Sequence, residues 1–167
     1  MNIADVLLLD FESEIANTRR ILEKIPDTSG LYKPHDKSMP CGRLSVHVAR
    51  LCDFGRMILD TEEIDLATHQ WPDFTFRDRQ DLLDGLKESS TRLRTRLASM
   101  SDQDLQQIWT MRFGDKVVVA APKMLLYRTM FLNHLVHHRA QLGVYLRLQD
   151  LPVPGLYGPS ADEPFTA

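Results

Sequence analysis

Cysteine is scarce in this chain, and its two copies do not form a motif. Cys41 and Cys52 are 11 residues apart with no CxxC spacing, which suits two reduced thiols better than a disulfide framework or a zinc knuckle. No apolar run approaches the ~20 residues that a membrane span needs. The opening Met1-Asn2-Ile3-Ala4-Asp5 carries neither a basic region nor a small-residue cleavage pattern, so a cytoplasmic protein with no membrane partner is expected. Excess positive charge is also missing. Twenty Lys and Arg against 23 Asp and Glu give a net charge of −3, no basic field exists to hold a phosphate backbone, and nucleic acid is not an expected partner. Internal repeats and low-complexity tracts are absent. A chain of 167 residues that is 43% hydrophobic and 26% charged is long enough to bury a substantial core, and one domain over residues 1–167 is expected.

What the chain does have is histidine in unusual places. The stretch Phe131-Leu132-Asn133-His134-Leu135-Val136-His137-His138-Arg139-Ala140-Gln141 sets two imidazoles one helical turn apart. At about 100° per residue, Tyr127, Met130, Phe131, His138, Gln141, Leu142 and Tyr145 all fall within about 80° of His134. That arc is the apolar face, with His134 and His138 in its middle and His137 on its flank. One histidine on such a face is usually a core residue with a hydrogen-bonded ring. Two together cost several kcal/mol unless their nitrogens find partners, and a divalent ion satisfies both at once.

The rest of the chain reads as helices around this one. Leu7, Leu8, Phe11, Ile15, Leu22 and Ile25 predict a first helix over about 3–25, ended by Pro26. A loop follows to residue 38, with His35 at the surface and Ser38 placed to cap a second helix over about 39–59. Leu44, His47, Leu51, Phe54 and Ile58 form the apolar face of that helix, and His47 is at its centre. Residues 60–76 read as a polar linker without periodic structure, containing a surface His69. A third helix over about 77–99 turns Leu82, Leu86, Leu93 and Leu97 inward together with Ser89 and Ser90, small hydroxyls that leave room for a pocket or for close helix packing. A short helical turn at 102–107 and a β-hairpin over 108–119, turning at Gly114-Asp115, precede a fourth helix over about 121–148. The Pro- and Gly-rich tail is expected to pack back onto the body. The sum is an all-α four-helix bundle with a small β-hairpin before the last helix, a fold that builds metal sites from facing helices.

Three inward imidazoles, His47, His134 and His138, match the three protein ligands of an open, catalytic type of site, whereas structural sites usually close with four. Gln141, one turn past His138 on the same face, reads either as orienting a metal-bound water or as bonding a backbone carbonyl. Tyr145 and Trp109 read as pocket-lining residues or as plain core. Imidazole suits several divalent metals, so zinc, nickel and iron stay open as the cofactor.

The sequence also resembles the DinB/YfiT-like superfamily of metalloenzymes, a group distinct from the polymerase that shares the first name. The resemblance is carried by residues 11–12, 18–26, 33–38 and 44–49. It continues in His134-Leu135-Val136-His137-His138-Arg139-Ala140-Gln141-Leu142 and in Leu156-Tyr157-Gly158-Pro159-Ser160-Ala161-Asp162-Glu163. The chain departs from the family's pattern at Ala140, where Gly is frequent, and at Leu31-Tyr32, where Trp is common. The resemblance implies a four-helix bundle and ligands at His47, His134 and His138. For activity it implies a thiol-dependent S-transferase, or a related transferase or hydrolase, with a low-molecular-weight thiol such as bacillithiol, mycothiol or glutathione and an electrophilic small molecule as partners. The other class of function is a non-enzymatic, stress-related metal-binding bundle with a structural or sensory ion. Only an enzyme needs an exchangeable position on that ion.

The fourth helix has a second apolar stripe opposite His134, formed by Leu132, Val136, Ala140 and Gly143 beside Arg139 and Arg147. A helix apolar on two sides is covered on two sides. The hairpin, the tail or a second copy of the chain are the candidate covers, and homodimers are common in the resembled family, so a homodimer is expected.

Overall fold

Four long helical stretches carry the chain, and each grows from an apolar stripe at three-and-four spacing. The computed structural model describes residues 1–165. Its first helix, α1 (Ile3–Leu22), starts on a reciprocal cap in which the Asn2 side chain accepts from the Asp5 N–H and the Asp5 carboxylate accepts from the Asn2 N–H. It buries Leu7, Phe11, Ile15 and Leu22. It stops short of residue 25 because Lys24 and Ile25 donate to carbonyls three residues back, a tightened last turn before Pro26.

Helix α2 (Cys41–Asp60) does not begin at a Ser38 cap. Pro40 precedes it without a side-chain cap bond, and the Cys41 and Gly42 N–H groups instead donate to the Tyr32 and Gly30 carbonyls of the preceding loop. Helix α3 (Arg79–Ala98) is capped by Asp78, which accepts from the Asp81 N–H. It packs closely along α2: Ser89 is fully buried and its hydroxyl donates to the Ala49 carbonyl at 2.8 Å. Ser89 thus serves close helix packing, while Ser90, also buried, donates to the Lys87 carbonyl of its own helix.

After the short α4 (Asp102–Gln106) come β2 (Ile108–Phe113) and β3 (Lys116–Pro122), antiparallel, with a register irregularity at Met111/Arg112. Gly114 supplies the positive φ of +57° that the turn needs. The linker after α2 is not wholly irregular. Residues Glu63–Asp65 form β1, parallel to β2 with Glu63 opposite Thr110, and the Asp65 carboxylate accepts from the Gly114 and Ala67 N–H groups. The fold is thus mostly helical with a three-stranded sheet, which corrects the expectation of a hairpin alone. A three-residue strand with one buried side chain, Ile64, has too little alternation to be read from sequence.

The last long stretch is continuous but not uniform. Helix α5 (Lys123–Leu126) runs into a π-helical turn, Tyr127–Leu132, and then into α6 (Asn133–Leu148). The Asn133 N–H reaches back five residues to the Arg128 carbonyl. The tail folds back onto the body as expected. Arg20 of α1 bonds the Gly155 carbonyl and the Glu163 carboxylate, and Val153 and Leu156 pack on the core.

Candidate metal centre

The second turn of α2 and the first turns of α6 face each other, and this brings His47, His134 and His138 together, all half-buried. His47 Nε2 lies 3.4 Å from His134 Nε2, and His138 Nε2 lies 2.7 Å from His134 Nε2. One nitrogen from each ring falls within 4.8 Å of the others. Zn–N bonds of about 2.0–2.1 Å in a tetrahedron place ligand nitrogens about 3.3 Å apart. The His47–His134 spacing already fits, and the His134–His138 spacing fits after a small ring rotation.

The far nitrogens set the chemistry of the near ones. His134 Nδ1 faces the Met130 carbonyl at 3.3 Å, and His138 Nδ1 faces the Gln141 side-chain oxygen at 2.7 Å. Both partners are acceptors, so in the neutral rings each Nδ1 carries the proton and donates. Each Nε2 is then a bare lone pair, and the two lone pairs point at one another. Such an arrangement is repulsive unless a cation lies between them. Burial pushes the pKa of His47 down to about 4, reinforced by the neighbouring histidines and by Arg43. Burial also lowers those of His134 and His138, while the Met130 carbonyl and Gln141 oppose this in part. The rings are held neutral, the form in which imidazole binds metals.

A cavity of about 420 Å³ opens against His47 and His134. Phe54, Trp71 and Phe74 wall it together with four methionines, Met39, Met57, Met111 and Met130. Phe74 sets its ring edge-on to His47 at 5.6 Å between centroids. The charged groups at the cavity are Arg43, Arg50 and Asp53, and Asp53 is engaged by Arg92 at 2.8 Å.

The sequence profile of the DinB superfamily matches residues 10–142. The chain belongs to the DinB superfamily. A DinB-like protein from Bacillus cereus ATCC 10987 shares 24% identity, with 90% of this chain and 95% of that one covered at a TM-score of 0.66. The DinB-like protein YjoA from Bacillus subtilis gives 20% identity, the same coverage and a TM-score of 0.66. YfiT from Bacillus subtilis, described as a probable metal-dependent hydrolase with an unusual four-helix bundle topology, gives 16% identity, 89% coverage of each chain and a TM-score of 0.65. At these identities the likeness is one of fold. No curated protein matches the sequence.

In this DinB chain the other sequence candidates fall as follows. His137 is exposed, and although its ring is 4.9 Å from that of His138 it lies outside the cluster of three. His35 is exposed; His69 is half-buried with its ring 4.5 Å from that of Trp71. Gln141 bonds His138 itself and not a backbone carbonyl. Trp109 and Tyr145 do not line the cavity. Trp109 is fully buried behind Phe54, with its indole N–H donating to Thr61 Oγ1 at 2.9 Å. Tyr145 packs on Tyr32 and donates its hydroxyl to the Met39 carbonyl at 3.0 Å. Both are core residues whose polar atoms are satisfied locally. Sequence reasoning missed the linker aromatics Trp71 and Phe74 and the methionine walls. The one available signal was the run of aromatics at Trp71, Phe74 and Phe76 within a linker read as polar.

Proposed function

We propose that His47, His134 and His138 hold one divalent ion, zinc, nickel or iron, with a coordination position left open to the cavity. On this reading the bundle is a metal-dependent enzyme that transfers a low-molecular-weight thiol onto a small electrophile. The observation that carries it is the pair of bare Nε2 lone pairs of His134 and His138 meeting beside an apolar cavity that His47 and His134 line. A divalent ion bound there lowers the pKa of the thiol or water it takes and polarises an acceptor.

The chain's own residues do the rest. Gln141 and the Met130 carbonyl fix the proton-bearing nitrogens of His138 and His134, so their Nε2 atoms stay available. The methionine and aromatic walls exclude water and position an apolar acceptor. Asp53 is the one carboxylate among the lining residues, and Arg92 occupies it. Among the described residues that line the cavity no free carboxylate stands to take a proton from attacking water, which favours a thiol nucleophile over hydrolysis. In the transfer the sulfur–carbon bond forms as the acceptor's leaving group departs, and the thiol proton passes to solvent.

Hydrolysis is the second reading, supported by the description of YfiT. A purely structural or sensory ion is less favoured, because the cavity reaches the imidazoles and gives a ligand a way in. The test begins with metal analysis of untagged protein. Thiols are then paired with 1-chloro-2,4-dinitrobenzene, and nitrophenyl esters are assayed without thiol. Metal-dependent thioether formation is expected; ester cleavage alone would replace transfer by hydrolysis, and no bound metal would overturn the reading.

A further inference from the structure

The cavity is almost entirely apolar, yet it has one uncommitted charge at its mouth. Arg43 and Arg50 are four residues before and three after His47, so both lie on its side of α2. Arg50 is partly occupied: its guanidinium lies against Gly85 of α3, where an added Cβ would come within 2.9 Å of Nε, and it is 3.8 Å from the Glu88 carboxylate. Asp53 is held by Arg92. Arg43 lines the cavity and has no ion pair or side-chain hydrogen bond among the described residues. A chain of net charge −3 thus presents a net positive mouth to this one cavity.

Resting on the enzymatic reading above, we propose that the cavity binds the electrophilic substrate, and that this substrate is an apolar, aromatic or branched aliphatic, carboxylic acid. Its hydrocarbon part lies among Phe54, Trp71, Phe74 and the methionines, and its carboxylate pairs with Arg43. Low-molecular-weight thiols of the glutathione type carry several charged groups, which these walls leave unpaired, so the cavity belongs to the acceptor. The flexible thioethers of four methionines adapt to different shapes, so the site selects for a carboxylate on an apolar body more than for one outline. About 420 Å³ is a volume for a small molecule, not for a peptide.

Calorimetric titration of metal-loaded and chelated wild-type protein with 2-naphthoate, 2-naphthalenemethanol and acetate tests this. The naphthoate is expected to bind about tenfold more tightly than the alcohol in both forms, the yield of one charge-assisted hydrogen bond at a partly dry site, and acetate far more weakly. Arg43→Gln should bring the two naphthyl probes within about twofold of each other, Arg50→Gln should keep the preference, and Trp71→Ala should weaken both probes. Equal binding of acid and alcohol by wild type, or no binding of either, overturns the proposal. A preference that survives Arg43→Gln and disappears with the metal also overturns it, because the ion would then read the carboxylate, and the metal site itself would stand. A preference that behaves as expected in a protein without transferase activity rejects the enzymatic reading and leaves the binding site.

Discussion

The Gln141 side-chain oxygen accepts a hydrogen bond from His138 Nδ1 at 2.7 Å, one helical turn along the same face of α6. That bond turns an ordinary imidazole into a directed ligand, because it fixes the proton on Nδ1 and leaves Nε2 bare toward His134. Gln141→Leu keeps the volume and removes the acceptor. It is expected to lower metal affinity about 10- to 100-fold, the usual cost of losing such a partner, without unfolding the chain. Competition against a fluorescent chelator measures this. Unchanged affinity would mean that His138 is oriented by packing alone.

Alanine at His47, His134 or His138 should each lower metal content sharply, whereas His137→Ala, His35→Ala and His69→Ala should leave it intact. Protons compete for the same nitrogens. A histidine in the unfolded chain titrates near 6.5, while burial holds His47 down to about 4 and lowers His134 and His138. Below about pH 6.5 the unfolded chain takes up protons that the folded chain refuses. The metal-free protein therefore keeps its full stability above that pH and loses part of it as the pH falls toward 4. Metal release should begin below about pH 6 for the same reason, with an onset displaced to lower pH by burial. Elemental analysis after dialysis across pH 4–8 reads one effect, and urea unfolding of the chelated protein reads the other. A full equivalent of metal retained at pH 4 would point to ligands other than these histidines.

Periodicity made the ligands legible. His47 sits in a stripe with Leu44, Leu51 and Phe54, and His134 and His138 repeat at four residues, so the helical phase alone put them inward. The four helices and the hairpin turn at Gly114 were legible for the same reason, since each carries a long pattern or a residue with one conformational use. The linker was not. Its strand Glu63–Asp65 gains its bonds from β2, about 45 residues away, and the placing of Trp71 and Phe74 at the cavity wall depends on a cavity that no local pattern encodes. The π-helical turn Tyr127–Leu132 widens the helix just before the ligands, so a uniform 100° step does not carry across it. Such turns are frequent at functional sites and leave no Pro or Gly as a sign.

Arg139 shows the same limit from another side. Its helical phase puts it on the outer stripe, yet its side chain is only 1% exposed because α1 and the tail close over it. The guanidinium pairs with the Glu14 carboxylate, donates to the Glu14 carbonyl at 2.8 Å and to Thr18 Oγ1, and meets the Tyr157 hydroxyl. Removing one member of such a buried pair leaves the other charge without a partner. Arg139→Met should destabilise the fold by about 3–5 kcal/mol, and Glu14→Met combined with Arg139→Met should recover part of the loss. Chemical denaturation of wild type and the two variants measures it. Equal stability of Arg139→Met and wild type would show that the network contributes nothing to holding the tail.

Self-association is the last proposal, and the structure narrows where it can occur. Of the stripe opposite His134, Leu132 is buried and Arg139 is covered by α1. Gly143 faces Val153 of the tail, 3.8 Å from where its Cβ would stand, and Arg147 is tied to Asp162. The tail therefore supplies much of the cover. What stays open is a neighbouring strip, with Val136 half-buried, Ala140 exposed, and Val144 and Leu148 each 57% exposed. Ala140, Val144 and Leu148 repeat at four residues and lie on one side of α6. Two copies related by a two-fold axis would bury this strip against itself, the commonest way in which soluble chains pair. Val144→Glu places a charge in the middle of that seam, and Val136→Glu places one at its edge. Light scattering is expected to give the mass of two chains for wild type and of one for Val144→Glu, with metal content unchanged because neither side chain reaches the histidine cluster. A wild-type protein that is monomeric at high concentration would reject the dimer, and a Val144→Glu variant that still pairs would move the interface to another face.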